Sequence, residues 1–364
     1  MSLPKTKLVF VHLMDDLSGS PKVLSQVIDH FANQGHPADL FTSSTGNKGF
    51  LQDLKGVNRV ELGYKRHENK WLQLYSFLAS QVALFFMILK YRKEDAIIYV
   101  NTLLPFGAAL AGKLTGRKVI YHIHETSLNP RQLKWFLKKV AQFCATKAYY
   151  VSGYLKQAEE LIGVPGEVVY NSLTPEFIEK SSQSIPSLHK PFTVLMLCSL
   201  RTYKGVNDFV ELARKLPNLQ FVLVVNASSV ELDQFFIDQS LPSNLELHAA
   251  TKNVHPFYEK AHLVLNLSHP DQWVETFGLT ALEALSYGLP VIVPPVGGIT
   301  EVIEDQRNGY AIHVDNKGEM VQKIDQLARN EQLYEEFSRA ARTGSRFFTP
   351  EVMNSRIEQQ TLSA

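Results

Sequence analysis

Short runs of unbroken apolar residues, LVFV at 8–11 and FVLVV at 221–225 among them, alternate with helix-patterned segments along the whole chain. Strands that are apolar on both faces must be covered on both faces, as in parallel sheets flanked by helices. In the first half this pattern predicts strands at Leu8–Leu13, Ala38–Thr42, Ala96–Val100, Val119–His122, Ala148–Val151 and Val168–Tyr170. Helices are expected at Pro21–Gln34, Trp71–Arg92, Phe106–Thr115 and Pro130–Cys144, with Gly35 closing the first.

The composition then shifts. Residues 172–191, SLTPEFIEKSSQSIPSLHKP, are rich in Ser and Pro and read as a linker. A second alternation follows. Strands are expected at Thr193–Cys198, Leu219–Val225, Leu245–His248, Leu263–Leu267, Val291–Pro294 and Gly309–Ile312. Helices are expected at Val206–Lys215, Thr280–Tyr287, Glu319–Arg329 and Glu331–Arg342. A chain of 364 residues suits two domains of roughly 150–190 each. The expected boundaries are 1–175, a linker at 176–191, and 192–346. Two doubly wound α/β domains in tandem would bind ligands beyond the carboxyl ends of their strands and leave a cleft between them.

Composition narrows the function. A formal charge of +1 gives no overall reason to expect a nucleic-acid partner. The two cysteines, Cys144 and Cys198, lie in apolar surroundings and read as reduced core thiols of a cytosolic protein. The first residues, MSLPKTKLVFVHL, do not read as a signal peptide. The longest apolar stretch, Leu74–Leu89, is interrupted by Ser76, Ser80 and Gln81. It falls short of a membrane span and reads as a buried helix. Arg131–Cys144 mixes Lys134, Lys138 and Lys139 with Trp135, Phe136 and Leu137. Its favoured reading is a solvated face over a buried stripe, and peripheral contact with a membrane is the alternative.

Four stretches could carry chemistry. In ETFGLTALEALSYGLP, 275–290, Glu275 falls in a loop and Glu283 on the helix that opens near Leu279. Backbone N–H groups of Phe277, Gly278 and Leu279 at that helix start suit a diphosphate. The two-carboxylate spacing is weak alone and gains weight from the strand–loop–helix–strand context. In LCSLRTYKGVNDFVELA, 197–213, Arg201 and Lys204 follow a strand, and a lysine there could offset charge on a leaving diphosphate. VIYHIHETS, 119–127, places His122, His124 and Glu125 at a strand end. Two histidines on one strand face raise metal ligation, but no third ligand is apparent. DDLSGSPKVLSQ, 15–26, sets Gly19 and Ser20 at a helix start without a GxGxxG dinucleotide fingerprint.

These stretches, the ETFG run with its second Glu above all, resemble the retaining glycosyltransferases of family 4, with the GT-B fold of two Rossmann-like domains facing a central cleft. The resemblance spans nearly the whole chain and is densest from Leu195 to Gly309. It implies a nucleotide-sugar donor, UDP- or GDP-linked, held mainly by the C-terminal domain, with no other cofactor; the lack of an Asp-x-Asp motif to hold a divalent ion on the diphosphate predicts transfer without a metal. Glu275 would hydrogen-bond the donor sugar, Glu283 the ribose, and Phe277 to Leu279 the phosphates. Lys204 would hold the leaving diphosphate. His124 would meet the sugar near the reacting carbon, and Gly19 and Ser20 would lie near the donor phosphate and acceptor.

The resemblance also implies a glycan or lipid-linked acceptor, domain closure over the donor, and residues 347–364 crossing back to the N-terminal domain. A cytoplasmic protein, peripheral at the membrane, would fit. Three positions depart from the pattern. Thr276 replaces a usual Gly, Ser199 stands where an Arg is usual with Arg201 two residues on, and Gly19-Ser20 replaces a Gly pair. Asn171, the Gly297-Gly298 turn with Glu301, and Thr251 to Asn253 near the base are weaker matches. A sugar-nucleotide epimerase of the same fold and a non-catalytic nucleotide-sugar-binding protein are the two alternatives.

Overall fold

The computed structural model describes residues 5–44, 49–184, 188 and 191–363 of the chain. It forms two compact units. Unit 1 runs to Asn171 and resumes at Pro350, and unit 2 spans Ser172–Thr349. Unit 1 contains β1 (Lys7–Asp15), α1 (Gly19–Asn33), β2 (Ala38–Ser44), β3 (Val57–Glu61), α2 (Lys70–Ile88), β4 (Ala96–Asn101), α3 (Phe106–Leu114), β5 (Lys118–Ile123), α4 (Arg131–Cys144), β6 (Lys147–Tyr150), α5 (Gly153–Glu159) and β7 (Gly166–Val168). Unit 2 contains α6 (Pro175–Gln183), β8 (Thr193–Cys198), α7 (Val206–Lys215), β9 (Gln220–Val225), α8 (Ser229–Phe236), β10 (Leu245–His248), α9 (His255–Lys260), β11 (Leu263–Leu265), α10 (Leu279–Ser286), β12 (Val291–Val293), β13 (Gly309–Ala311), α11 (Lys317–Arg329) and α12 (Glu331–Ser345). The last helix, α13 (Pro350–Leu362), belongs to unit 1.

Both sheets are doubly wound. Unit 1 has the order β3-β2-β1-β4-β5-β6-β7 and unit 2 the order β10-β9-β8-β11-β12-β13. Every strand pairing within them is parallel. Central strands such as AIIYVN of β4 are buried along their whole length. Each fully buried Val, Leu or Ile there contributes about 1.5–3 kcal/mol through water release. The strand order reverses between β1 and β4 in unit 1 and between β8 and β11 in unit 2. Crevices at the carboxyl ends of those pairs are where such sheets bind ligands.

One irregularity in β1 matters for the site. β1 pairs with β2 from Leu8 to Val11 and resumes in shifted register at Met14, while its pairing with β4 ends at Val11. The break falls on His12 and Leu13, at the switch point. A local break of this kind re-aims a side chain out of the regular alternation.

The structure departs from the sequence reading in four places. Of residues 176–191, expected as a linker, 176–183 carry most of α6, and 185–187, 189 and 190 lie outside the described residues. Thr174 caps α6 by accepting from the Phe177 N–H at 3.2 Å, and Pro175 opens it. Phe177 then packs on His255, Tyr258 and Tyr287 of unit 2. The edge strand β3 was not expected, because VNRVE is half-exposed and lacks an apolar run. Short helices α5, α8 and α9 were also not expected.

The fourth departure concerns α2, expected as a buried helix. It is a helix, but of its 19 residues only Phe77, Ser80, Gln81, Leu84 and Ile88 are buried. The apolar run specified a helix, not which side of it would be covered. In α4 the buried stripe is Leu137, Ala141 and Cys144, as expected, and the outer face carries Trp135, Phe136 and Phe143 among its charges. Cys144 and Cys198 are both free thiols.

α13 is tied to unit 1 by side chains from its last two turns. Glu358 meets His30 Nε2 at 2.8 Å, Thr361 Oγ1 lies 2.9 Å from Tyr149 Oη, and Arg356 donates to the Val168 carbonyl at 3.0 Å.

Candidate functional site

In unit 2 the switch point brings together two loops that are far apart in sequence. One follows β8 and carries Ser199 to Lys204; the other follows β11 and carries Asn266 to Gly278. Lys204 Nζ forms an ion pair with Glu275 Oε1, and Ser268 Oγ donates to the same oxygen at 2.8 Å. Lys204 also sits 4.7 Å above the Trp273 ring, which stacks on Tyr203 with centroids 5.5 Å apart. The cation is therefore held by a carboxylate and an aromatic face at once. Burial would raise the Glu275 carboxyl, but the Lys204 charge and hydrogen bonds from Lys204, Ser268 and Asn266 outweigh it and hold the pKa below the ordinary value.

Glycine makes this meeting of loops feasible. Gly205 ends the turn after Lys204 at φ 75°, and a Cβ there would fall 2.3 Å from the Leu267 carbonyl oxygen. Only glycine lets the β8 loop lie against the β11 loop in this conformation. Gly278 caps α10 at φ 92°, and its missing Cβ makes room for Ile299. Gly278, expected to offer its backbone N–H to a diphosphate, is thus also the place where the domain's own Ile299 packs close.

The remaining expected donor residues fall as follows. Phe277 is buried, its ring edge-on to Phe348 at 5.6 Å, so its side chain belongs to the core. Leu279 is the first residue of α10. Glu283 is buried on α10 and accepts from Tyr258 Oη at 2.6 Å. Burial and the Glu283 charge push the Tyr258 phenol well above its ordinary pKa. Arg201 is exposed on the turn, its charge acting on Glu231 of α8, and its N–H donates to the Ser199 carbonyl at 2.8 Å. Thr251, Lys252 and Asn253 are exposed beyond β10.

In unit 1, Asn101 at the end of β4 organises the switch point. Its Nδ2 donates to the Ser20 carbonyl at 3.3 Å and lies 3.1 Å from His12 Nδ1; its Oδ1 lies 2.9 Å from His124 Nε2. This orientation puts a proton on His124 Nε2 and makes His12 Nδ1 an acceptor. Asn101 thus joins the first turn of α1, where Gly19 and Ser20 sit, to His124. Sequence reasoning missed Asn101, although its place at the end of a switch-point strand was a usable signal. Tyr203 and Trp273 were also missed, and nothing in the sequence signals that they stack.

Glu125 clamps the neighbouring loop. It accepts from the Leu103 N–H at 2.8 Å and from the His124 N–H at 3.2 Å. Burial pushes its carboxyl up to about 7 in spite of these bonds. The rings of His122 and His124 lie 4.2 Å apart, with His122 Nδ1 2.9 Å from Tyr99 Oη. Among the described residues, no group of three His, Cys, Asp or Glu side chains is placed to hold a metal ion.

These histidines predict how unit 1 responds to acid. Burial lowers His12, lowers His122 to about 3, and lowers His124 well below 6.5, the last helped by His122 and His12. All three stay neutral in the fold, whereas the unfolded chain takes up protons below about 6.5. Their contribution is fully present above that pH and is lost as pH falls toward 3. Glu125, raised, has the opposite slope between about 4.5 and 7 and offsets part of the loss. Melting temperatures should fall from pH 7 to pH 5, and Glu125→Gln, which cannot ionise, should make the fall steeper. A flat profile in both proteins would remove the assignment.

Comparison with known proteins agrees with this architecture. Residues 177–344 match the family described as Glycosyl transferases group 1. The chain is 27% identical over 194 residues to the poly(glycerol-phosphate) alpha-glucosyltransferase of Bacillus subtilis, covering 51% of this chain and 28% of that protein. It is 36% identical over 277 residues to the N-acetyl-alpha-D-glucosaminyl L-malate synthase of Bacillus anthracis, covering 69% of this chain and 70% of that one. In fold it is similar to Anabaena HepE, crystallised with UDP and glucose, at a TM-score of 0.78 and 19% identity over 99% of this chain and 100% of the other. The fold class is the GT-B one expected, and the chain belongs to the glycosyl transferases group 1 family.

Proposed function

We propose that the chain transfers a hexosyl group from a nucleoside-diphosphate sugar to a glycan or lipid-linked acceptor, with retention of configuration and without a metal ion, as in family 4. The observation that carries this reading is the meeting of Lys204 and Glu275 ahead of α10, at the carboxyl ends of the two switch-point strands. A diphosphate needs positive charge, and Lys204 with the α10 N-terminus supplies it. The bond from the anomeric carbon to the diphosphate oxygen breaks, the acceptor hydroxyl oxygen forms the new one, and the hydroxyl proton passes to the leaving phosphate. Glu275, kept ionised by its neighbours, accepts from sugar hydroxyls, and Glu283 serves the ribose. In unit 1, His124 is the group proposed to meet substrate, its proton held on Nε2 by Asn101. Gly19 and Ser20 offer backbone groups at the start of α1.

Two relatives are named for alpha-linked products, which agrees with retention from an alpha-linked nucleotide sugar. HepE was crystallised with UDP, so uridine is the first base to try. The test is a thermal-shift screen against UDP, GDP, ADP and their sugars, with and without EDTA. One nucleotide series should raise the melting temperature equally in both conditions. A response to none of them would overturn the donor site, and a response abolished by EDTA would overturn the metal-free mechanism. Donor binding with neither transfer nor hydrolysis across acceptors would favour a non-catalytic binder.

A further inference from the structure

α2 is apolar on its outer side as well as on the side that faces the protein. From Trp71 to Leu89 there is no charged residue. The polar side chains Ser80 and Gln81 face the protein, and the Gln81 side-chain oxygen accepts from the Gly107 N–H at 3.0 Å. Outward-facing Trp71 is 80% exposed, Tyr75 74%, Val82 58% and Phe86 65%. The helix and the turn that extends it to Lys93 are long enough to cross a bilayer and contain an 18-residue stretch with a mean hydropathy of 1.8. One side nevertheless packs on α3, so the helix lies along the domain. A helix apolar all round requires an apolar environment on every side, and here the protein supplies it on one side only.

The exposed apolar surface continues onto neighbouring helices. Phe77 of α2 meets Phe106 of α3 at 5.9 Å, and Phe106 meets Phe136 of α4 edge-on at 5.2 Å. Outside this seam Leu114, Trp135 and Phe143 are each more than 60% exposed. Charge indicates what covers them. The three helices and the turn after α2 contain nine Lys and Arg and no Asp or Glu, in a chain whose net charge is +1. Two of the nine, Lys134 and Lys138, pair with Glu159. Exposed Lys70, Lys90, Arg92, Lys93, Lys113, Arg131 and Lys139 remain beside the apolar surface, Lys113 over the Phe143 ring. Two copies of such a face would bring like charges together, whereas anionic headgroups over acyl chains complement both its features.

We propose that the face formed by α2, α3 and α4 seats unit 1 on an anionic lipid surface, with the outer side of α2 entering the headgroup–acyl boundary. Vesicle binding needs no sugar donor, so its failure is separate from any failure of the transferase reading. The full chain is sedimented with phosphatidylcholine vesicles with and without phosphatidylglycerol. Binding should be about tenfold stronger with the anionic lipid and weaken with salt. Tyr75→Glu/Val82→Glu/Phe86→Glu changes only exposed positions, so its melting temperature should match the wild type while vesicle binding falls about tenfold. Brominated lipids should quench the tryptophan fluorescence, and Trp71→Phe/Trp135→Phe, which leaves Trp273, should abolish that quenching. The proposal is overturned by absence of binding to any vesicle or by undiminished binding of the triple variant. A concentration-dependent dimer that Val82→Glu dissociates would assign the face to a second copy instead.

Discussion

Replacing Lys204 with alanine is expected to lower sugar transfer about 10²–10³-fold, the usual effect of removing one preorganised group that bears transition-state charge. The loss should appear in kcat as well as in kcat/KM, because diphosphate charge grows as the glycosidic bond breaks. The variant also strips Glu275 of its cation. Burial, which already pushes that carboxyl upward, would then act with less opposition, and the acid limb of the rate profile should move to higher pH. Steady-state kinetics from pH 5 to 9 read both effects. Wild-type turnover in the variant would end the assignment of Lys204. Lower turnover with an unmoved acid limb would separate Lys204 from Glu275.

The second large effect is expected at Gly205. An alanine there carries the strain of φ 75° and a Cβ 2.3 Å from a backbone oxygen, so the β11 loop must move. Unit 2 should lose about 2–4 kcal/mol, more than a Gly→Ala change costs where the backbone is compatible. Nucleotide affinity should fall with it, because the displaced loop leads into Glu275. Gly318→Ala is the matched control: it lies in α11 with nothing within 4 Å of its added Cβ and should be neutral or slightly stabilising. Thermal melts with and without nucleotide compare the two. Equal melting temperatures in both variants would show that the loop packing tolerates a side chain.

The sequence pattern was most informative where burial on both faces forced continuous apolar runs. The observed bounds of β8, α7 and β10 are those expected from TVLMLC, VNDFVELARK and LELH. It was silent where side chains stay half-exposed, as in β3, and where a helix hides in Ser- and Pro-rich surroundings, as in α6. At the site, Lys204 and Glu275 could each be placed beyond a strand, but their partnership depends on β8 and β11 being neighbours. That adjacency is a property of topology, and 71 residues separate the two in sequence. Trp273, beneath the lysine, was invisible for the same reason. The α2 case differs: hydropathy measures how apolar a segment is and carries no information about how much of it the protein covers.

The return of α13 to unit 1 has a consequence for how the protein is made. Unit 1 begins first on the ribosome and is completed last, because the partners of His30 and Tyr149 lie on α13. Unit 2 is contiguous, from Ser172 to Thr349, and separates α13 from the rest of unit 1 in the chain. At ordinary elongation rates, roughly 10–35 s pass while unit 2 is synthesised and the nascent unit 1 waits without its final helix. Completion of unit 1 therefore waits on the synthesis of unit 2.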